Sequence, residues 1–251
     1  MKNKITNLIN KKYFHLCMVI IIIAVILFGL GIIILKYNVE GETNMPFDLN
    51  KIIIISSSEG IDKESGENKW AFDVNQNNDI FLYIQKNNNY GKEEIIETIL
   101  VDNINIQKQV NKGNGNLYKP EPDETRSMFN NSENNKIENI EYIGDMESNI
   151  KQLKISNQGG IVAFRYSNDK ISEYISNDEE INHSELMQKS NITEEELKTK
   201  LNFDITIKLK SGKQYKANIS LDIPVEGIIE KGTTSTEITN FEGIIFKRIK
   251  N

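Results

Sequence analysis

Phe203-Asp-Ile-Thr-Ile-Lys-Leu-Lys-Ser-Gly-Lys-Gln-Tyr-Lys-Ala-Asn-Ile-Ser-Leu-Asp-Ile223 decides the fold. Phe203, Ile205, Ile207 and Leu209 alternate with polar residues, and so do Tyr215, Ala217, Ile219, Leu221 and Ile223. A period of two is the signature of a half-buried strand, so the stretch reads as one hairpin. Both apolar sets share a face only if the loop has an odd number of residues, because a one-residue slip turns every side chain over. Lys210-Ser-Gly212 satisfies this, with Gly212 supplying the left-handed position of a type I turn plus bulge. The pattern predicts Ile207 opposite Tyr215 and Ile205 opposite Ala217.

The same signal recurs outward from the hairpin. Lys51 to Ser56, Trp70 to Val74, Asp79 to Gln85, Ile95 to Val101, Ile104 to Gln107, Glu138 to Ile143, Ile150 to Ile155, Gly160 to Tyr166 and Gly243 to Ile249 read as strands. Asn75-Gln-Asn-Asn78 and Asn87-Asn-Asn-Tyr-Gly91 read as turns between them. Many short strands predict a mainly β protein, an antiparallel β-sandwich of Ig-like architecture. A short helical insertion is expected at Thr193, where Thr-Glu-Glu-Glu196 matches a capping box and Leu197 and Leu201 follow at helical spacing, with a preceding turn over Ser184 to Lys189. Residues 111–135, with Pro120 and Pro122, read as a long exposed loop, and Thr233 to Thr239 as a polar connection whose alternative is a Thr-rich edge strand.

A second signal lies at the other end of the chain. Leu16 to Leu35 is apolar without a charge, and twenty residues of helix reach about 30 Å, the hydrocarbon thickness of a bilayer. Lys2, Lys4, Lys11 and Lys12 precede it with no acid among them, which keeps that end in the cytoplasm. The run is longer than a signal-peptide core and lacks a small-x-small site after it. The expected organisation is a cytoplasmic tail at 1–12, a signal-anchor transmembrane helix at 13–36, a juxtamembrane linker at 37–50 and an extracytoplasmic domain at 51–251.

All 36 acids follow the apolar run, and 26 of the 30 basic residues do (30 minus 4), so the remainder carries a net charge of −10. Such a surface repels nucleic acid. The single cysteine, Cys17, falls within the apolar run, leaving no disulfide for the rest of the chain. Only His15 and His183 could supply imidazole, and His183 sits in the acidic, polar start of a helix. Neither a catalytic triad nor a zinc cluster is expected. Asp73-Val-Asn-Gln-Asn-Asn-Asp79 imitates an EF-hand opening but has Asn78 and Ile84 where that loop requires glycine and glutamate. No cofactor, metal or catalytic residue is expected. Tyr90 and Tyr118, in predicted loops, are the candidate exposed aromatic contacts.

Gly41-Glu-Thr-Asn-Met-Pro-Phe47 and Trp70 to Ile84 resemble segments of uncharacterised single-pass membrane-anchored proteins of Gram-positive-type bacteria, a resemblance that brings no function. The reading is a membrane-anchored binding or structural module of the cell envelope, its partners membrane lipid and an envelope protein or surface ligand. A scaffold subunit of an envelope machine and an exported carboxylate-dependent hydrolase of wall or sugar polymers stand as alternatives.

Overall fold

The computed structural model describes residues 18–32, 45–63, 70–121, 128–144, 153–176 and 181–249. The membrane-span ends Leu16 and Leu35, the four N-terminal lysines and Cys17 lie outside these residues. Helix α1 covers 18–32, with its large apolar side chains exposed on every side. Among the described residues no helix is long and apolar enough to cross a membrane.

Ten strands form two antiparallel five-stranded sheets. The first has the order β4-β6-β2-β1-β9, from Asn114–Tyr118, Gly159–Ser176, Trp70–Lys86, Phe47–Asp62 and Thr233–Ile238. The second has the order β10-β8-β7-β3-β5, from Lys247–Ile249, Gln214–Asp222, Thr199–Leu209, Ile96–Lys108 and Ile140–Ile143. Their inner faces pack into one core containing Ile52, Ile54, Ile80, Leu82 and Phe164 from the first sheet and Ile99, Val101, Phe203, Ile205 and Ile207 from the second. Phe164 meets Phe203 edge-on at 5.4 Å.

The hairpin forms as its sequence dictates. Ile207 pairs with Tyr215 and Ile205 with Ala217. Gly212 adopts φ +81°, and its N–H donates to the Leu209 carbonyl at 2.8 Å.

Several boundaries differ from the sequence reading. Asn75–Asn78 is no turn: β2 runs unbroken through it, buried on both faces from Phe72 to Asn78. The two strands expected over Ile95 to Val101 and Ile104 to Gln107 are likewise one, Ile96–Lys108, interrupted by a bulge between Asp102 and Asn105 where Asn103 takes φ +53°. The sandwich begins before residue 51, since Met45 is buried and β1 starts at Phe47. The 111–135 segment is not a loop throughout, because β4 occupies part of it and Phe129 and Asn135 are buried. Thr233–Ile238 is the Thr-rich edge strand, paired to β1. The final strand spans only Lys247–Ile249, and of the predicted strand over Ile150 to Ile155 the described part contributes a single bridge, Ile155 to Gly144.

A smaller apolar cluster lies past the main core. Phe72, Val74 and Ile171 of the first sheet bury Leu186 and Met187 of helix α2 (Leu186–Lys189), Leu197 of α3 (Glu194–Leu197) and Ile228 of α4 (Ile228–Lys231). Gly60 makes this approach possible, since a Cβ there would meet Leu186 Cδ1 at 2.5 Å. The predicted capping box is present, but the helix ends at Leu197, and Leu201 belongs to β7. Between the two clusters the inner face of the first sheet is polar: Ser56, Gln76, Asn78 and Asn168 are fully buried. Ser56 donates to Asn78 Oδ1 at 2.7 Å and Asn78 Nδ2 to the Tyr166 carbonyl at 3.0 Å, whereas neither amide atom of Gln76 finds a partner among the described residues.

One phenol ties the sheets together. The Tyr142 hydroxyl on β5 donates to the Ala163 carbonyl of β6 at 2.6 Å and accepts from the Ala163 N–H at 3.1 Å. It takes the place of a neighbouring strand at that point of β6. Tyr142→Phe strands both backbone groups in the core and is expected to cost about 1–3 kcal/mol, read by chemical denaturation. A second expectation concerns pH. The Lys112 ammonium at 2.8 Å and the Thr193 N–H at 2.9 Å hold the Glu196 carboxyl below its ordinary value of 4.5. Its contribution is therefore complete above that value and is lost as pH falls through the lower folded one. The Glu196→Gln variant should melt below the parent at pH 7, with the gap closing in strong acid.

Candidate functional site

The outer face of the first sheet is built from alternate residues of its long strands. Asp73, Asn75, Asn77 and Asp79 point outward from β2, Arg165, Ser167 and Asp169 from β6, and Asn114, Asn116 and Tyr118 from β4. A strand advances about 6.6 Å per two residues, so the EF-hand-like acids and amides of β2 stand in a row instead of converging on one ion. No group of three or more His, Cys, Asp or Glu side chains placed to hold a metal occurs among the described residues.

The segment 128–137 folds over part of this face. Phe129 lies beneath the Arg165 guanidinium, 5.0 Å from its centre, and packs edge-on to Phe81. Arg165 grips Asp79 with two bonds of 2.6 and 3.1 Å and donates to Asn131 Oδ1 at 3.1 Å. Asn131 in turn donates to Asn77 Oδ1 at 2.9 Å and Ser167 Oγ at 3.2 Å. This network sets one wall of a polar pocket of about 320 Å³ whose floor and other walls include Asp73, Asn75, Asn116, Tyr118, Asp169 and Lys170.

The pocket's carboxylates are committed to holding it open. Asp169 accepts from Ser167, from Asn116 Nδ2 at 2.6 Å and from the Tyr118 hydroxyl at 3.2 Å. Asp73 faces Lys63 at 3.1 Å and Lys170 at 3.4 Å. Asn75 Oδ1 receives the N–H of Lys170, whose φ of +56° belongs to the bulge in β6 opposite it. The rest of the lining is the amides of Asn75, Asn114 and Asn116, the charged side chains of Glu133, Lys136 and Lys170, and Ile61. Such a surface can donate and accept hydrogen bonds and has one aromatic wall, Tyr118.

Of the two aromatic candidates, Tyr118 is not an exposed loop residue. It sits in β4, is 3% exposed, and contributes to the pocket wall. Burial, and next to it the Asp169 charge, push its phenol above the usual tyrosine range. Tyr90 lies in the β2–β3 connection, half-buried, its hydroxyl accepting from Lys213 Nζ at 2.9 Å. It is away from the pocket. His183 is exposed at the start of a short 3-10 turn, edge-on to Phe72 at 5.4 Å. The pocket residues that sequence reasoning missed, Asp73, Asn75, Asn116, Asn131 and Asp169, carry one faint signal: the period-two spacing of Asp73, Asn75, Asn77 and Asp79.

Comparison with family models, curated proteins and solved structures gives no match to this chain.

Replacing Asp169 with Asn removes the charge and leaves one acceptor oxygen where Ser167, Asn116 and Tyr118 now share two. A loss of about 1–3 kcal/mol is expected, and the Tyr118 phenol should ionise at lower pH than in the parent. Difference ultraviolet titration of parent and Asp169→Asn proteins measures the second effect.

Proposed function

We propose that the chain is a single-pass membrane protein whose β-sandwich is a binding module of the cell envelope, working outside the membrane through the pocket on the outer face of its first sheet. The N-terminal half of this reading is supported by the uncharged run Leu16 to Leu35, by its leading lysines, and by α1, whose apolar side chains are exposed on every side. Exposed Ile, Leu and Phe around a whole helix require a non-aqueous surrounding.

The observation that carries the binding role is the pre-bonded frame of Arg165, Asn131, Ser167 and Asp169, which fixes pocket side chains on strands before any ligand arrives. Holding donors and acceptors in place lowers the entropy lost on binding. The two packed antiparallel sheets serve the same end, since long paired strands hold the face in place. A polar envelope ligand, bonded through the amides of Asn75, Asn114 and Asn116, suits the lining. Hydrolysis finds less support, because Asp73 and Asp169 are occupied by structural bonds.

Two measurements test the reading. Protease added to sealed cells should digest the body and spare the N-terminal tail; a protected body would overturn the topology. Full-length protein in detergent should be retained by the insoluble envelope fraction, and the Asn75→Ala/Asn116→Ala variant should lose about tenfold in retention, the worth of one or two hydrogen bonds. Equal retention with an unchanged melting temperature would overturn the pocket's role.

A further inference from the structure

The second sheet is incompletely covered on the side where it meets the edge of the first. β5 pairs with β3 only over Thr98–Val101, whereas β7 pairs with β3 as far as Lys108. Among the described residues, the stretch from Asp102 to Lys108 has no strand on its other side. The Gln109 N–H donates to the Lys198 carbonyl, which makes Gln107 and Gln109 the residues whose backbone groups face β7. By the alternation of an antiparallel ladder, those of Ile106 and Lys108 face the uncovered side.

Opposite them runs β4, whose pairing is also partial. The Leu117 carbonyl accepts from the Ile137 N–H and the Asn135 carbonyl from the Lys119 N–H, so the backbone groups of Gly115, two residues earlier, face the same gap. Between the two edges lies a groove of about 840 Å³. Ile104, Ile106, Leu117 and Ile137 supply its apolar lining. The 136–139 connection closes one end. Near the other, Lys108 Nζ donates to the carbonyls of Lys112 and Gly113 at 2.9 and 2.8 Å.

We infer that this groove takes up an extended segment of a partner protein as an added strand along Ile104 to Lys108. Unpaired backbone groups on both rims ask for a strand and not for a helix, whose own groups are already satisfied. The apolar lining asks for apolar side chains at every second position. Charge fixes the direction: the exposed Glu138 stands at the β5 end, while the Asp102 carboxylate there lies 3.7 Å from the Lys216 ammonium, the Lys136 ammonium is bound to Glu133 and Lys108 is turned inward. An antiparallel segment would therefore place a basic residue at its C-terminal end. About five residues fit, at 3.3–3.4 Å each. The inference does not rest on the pocket of the outer face.

The probe is the capped peptide Ac-Val-Thr-Val-Thr-Val-Lys-NH2, titrated into full-length protein in detergent micelles. Saturable binding is expected, with slowed hydrogen exchange at the Ile106 and Lys108 amides. N-methylation of the peptide at alternate residues should weaken binding by at least about tenfold, since it removes the pairing donors. Glu138→Lys, a change at an exposed side chain, should weaken it by about threefold. Equal binding of the N-methylated peptide, or exchange at Ile106 and Lys108 unchanged by saturating peptide, overturns the proposal. So does protection of those amides that rises with protein concentration alone, which would assign the edge to a second copy of the chain.

Discussion

The demand of Asn75, Gln76, Asn77 and Asn78 for hydrogen bonds is the constraint around which the first sheet is arranged. Four amides in the middle of a central strand, buried on both faces, would each cost several kcal/mol if left unpaired. Ser56, Asn131, the Lys170 N–H and the Tyr166 carbonyl answer three of them. These partners come from β1, β6 and the covering segment, so the amides also fix register. A one-residue slip of β2 would point Asn75 and Asn77 into the apolar core and bring Val74 out.

That constraint explains what could be read in the sequence and what could not. The β7–β8 hairpin was legible to the residue, because alternation, loop parity and Gly212 are all local. The capping box at Thr193 was legible for the same reason, though not the point where the helix gives way to β7. Asn75–Asn78 looks like a turn by composition, and only partners 22 to 95 residues away in sequence make it a strand. Asn116 and Asn131 mislead similarly: their amides make structural hydrogen bonds on the outer face of a sheet. Tyr118, expected as an exposed loop residue, is instead a buried residue of β4 in the pocket wall. Its neighbourhood is created by Asp169 of a strand far along the chain. The Leu16 to Leu35 reading rests on hydropathy and charge alone, since its ends lie outside the described residues.

The pocket and the edge groove share a wall. Asn116 and Lys136 line both, with β4 between them. Side chains of β4 furnish the polar pocket while its free backbone edge borders the groove. A five-residue strand paired with β6 thus borders two surfaces of opposite character, one lined largely by amides and charges and the other largely by apolar side chains.

The division of the interior into two apolar clusters by a polar belt bears on how the molecule comes apart. Greasy contacts transmit cooperativity only where they touch, and between the sandwich core and the helices α2, α3 and α4 the inner face of the first sheet presents serine and amides instead. The polar belt thus separates the contacts of the helical cap from those of the sandwich core, an arrangement that favours local opening of the cap over opening of the whole body.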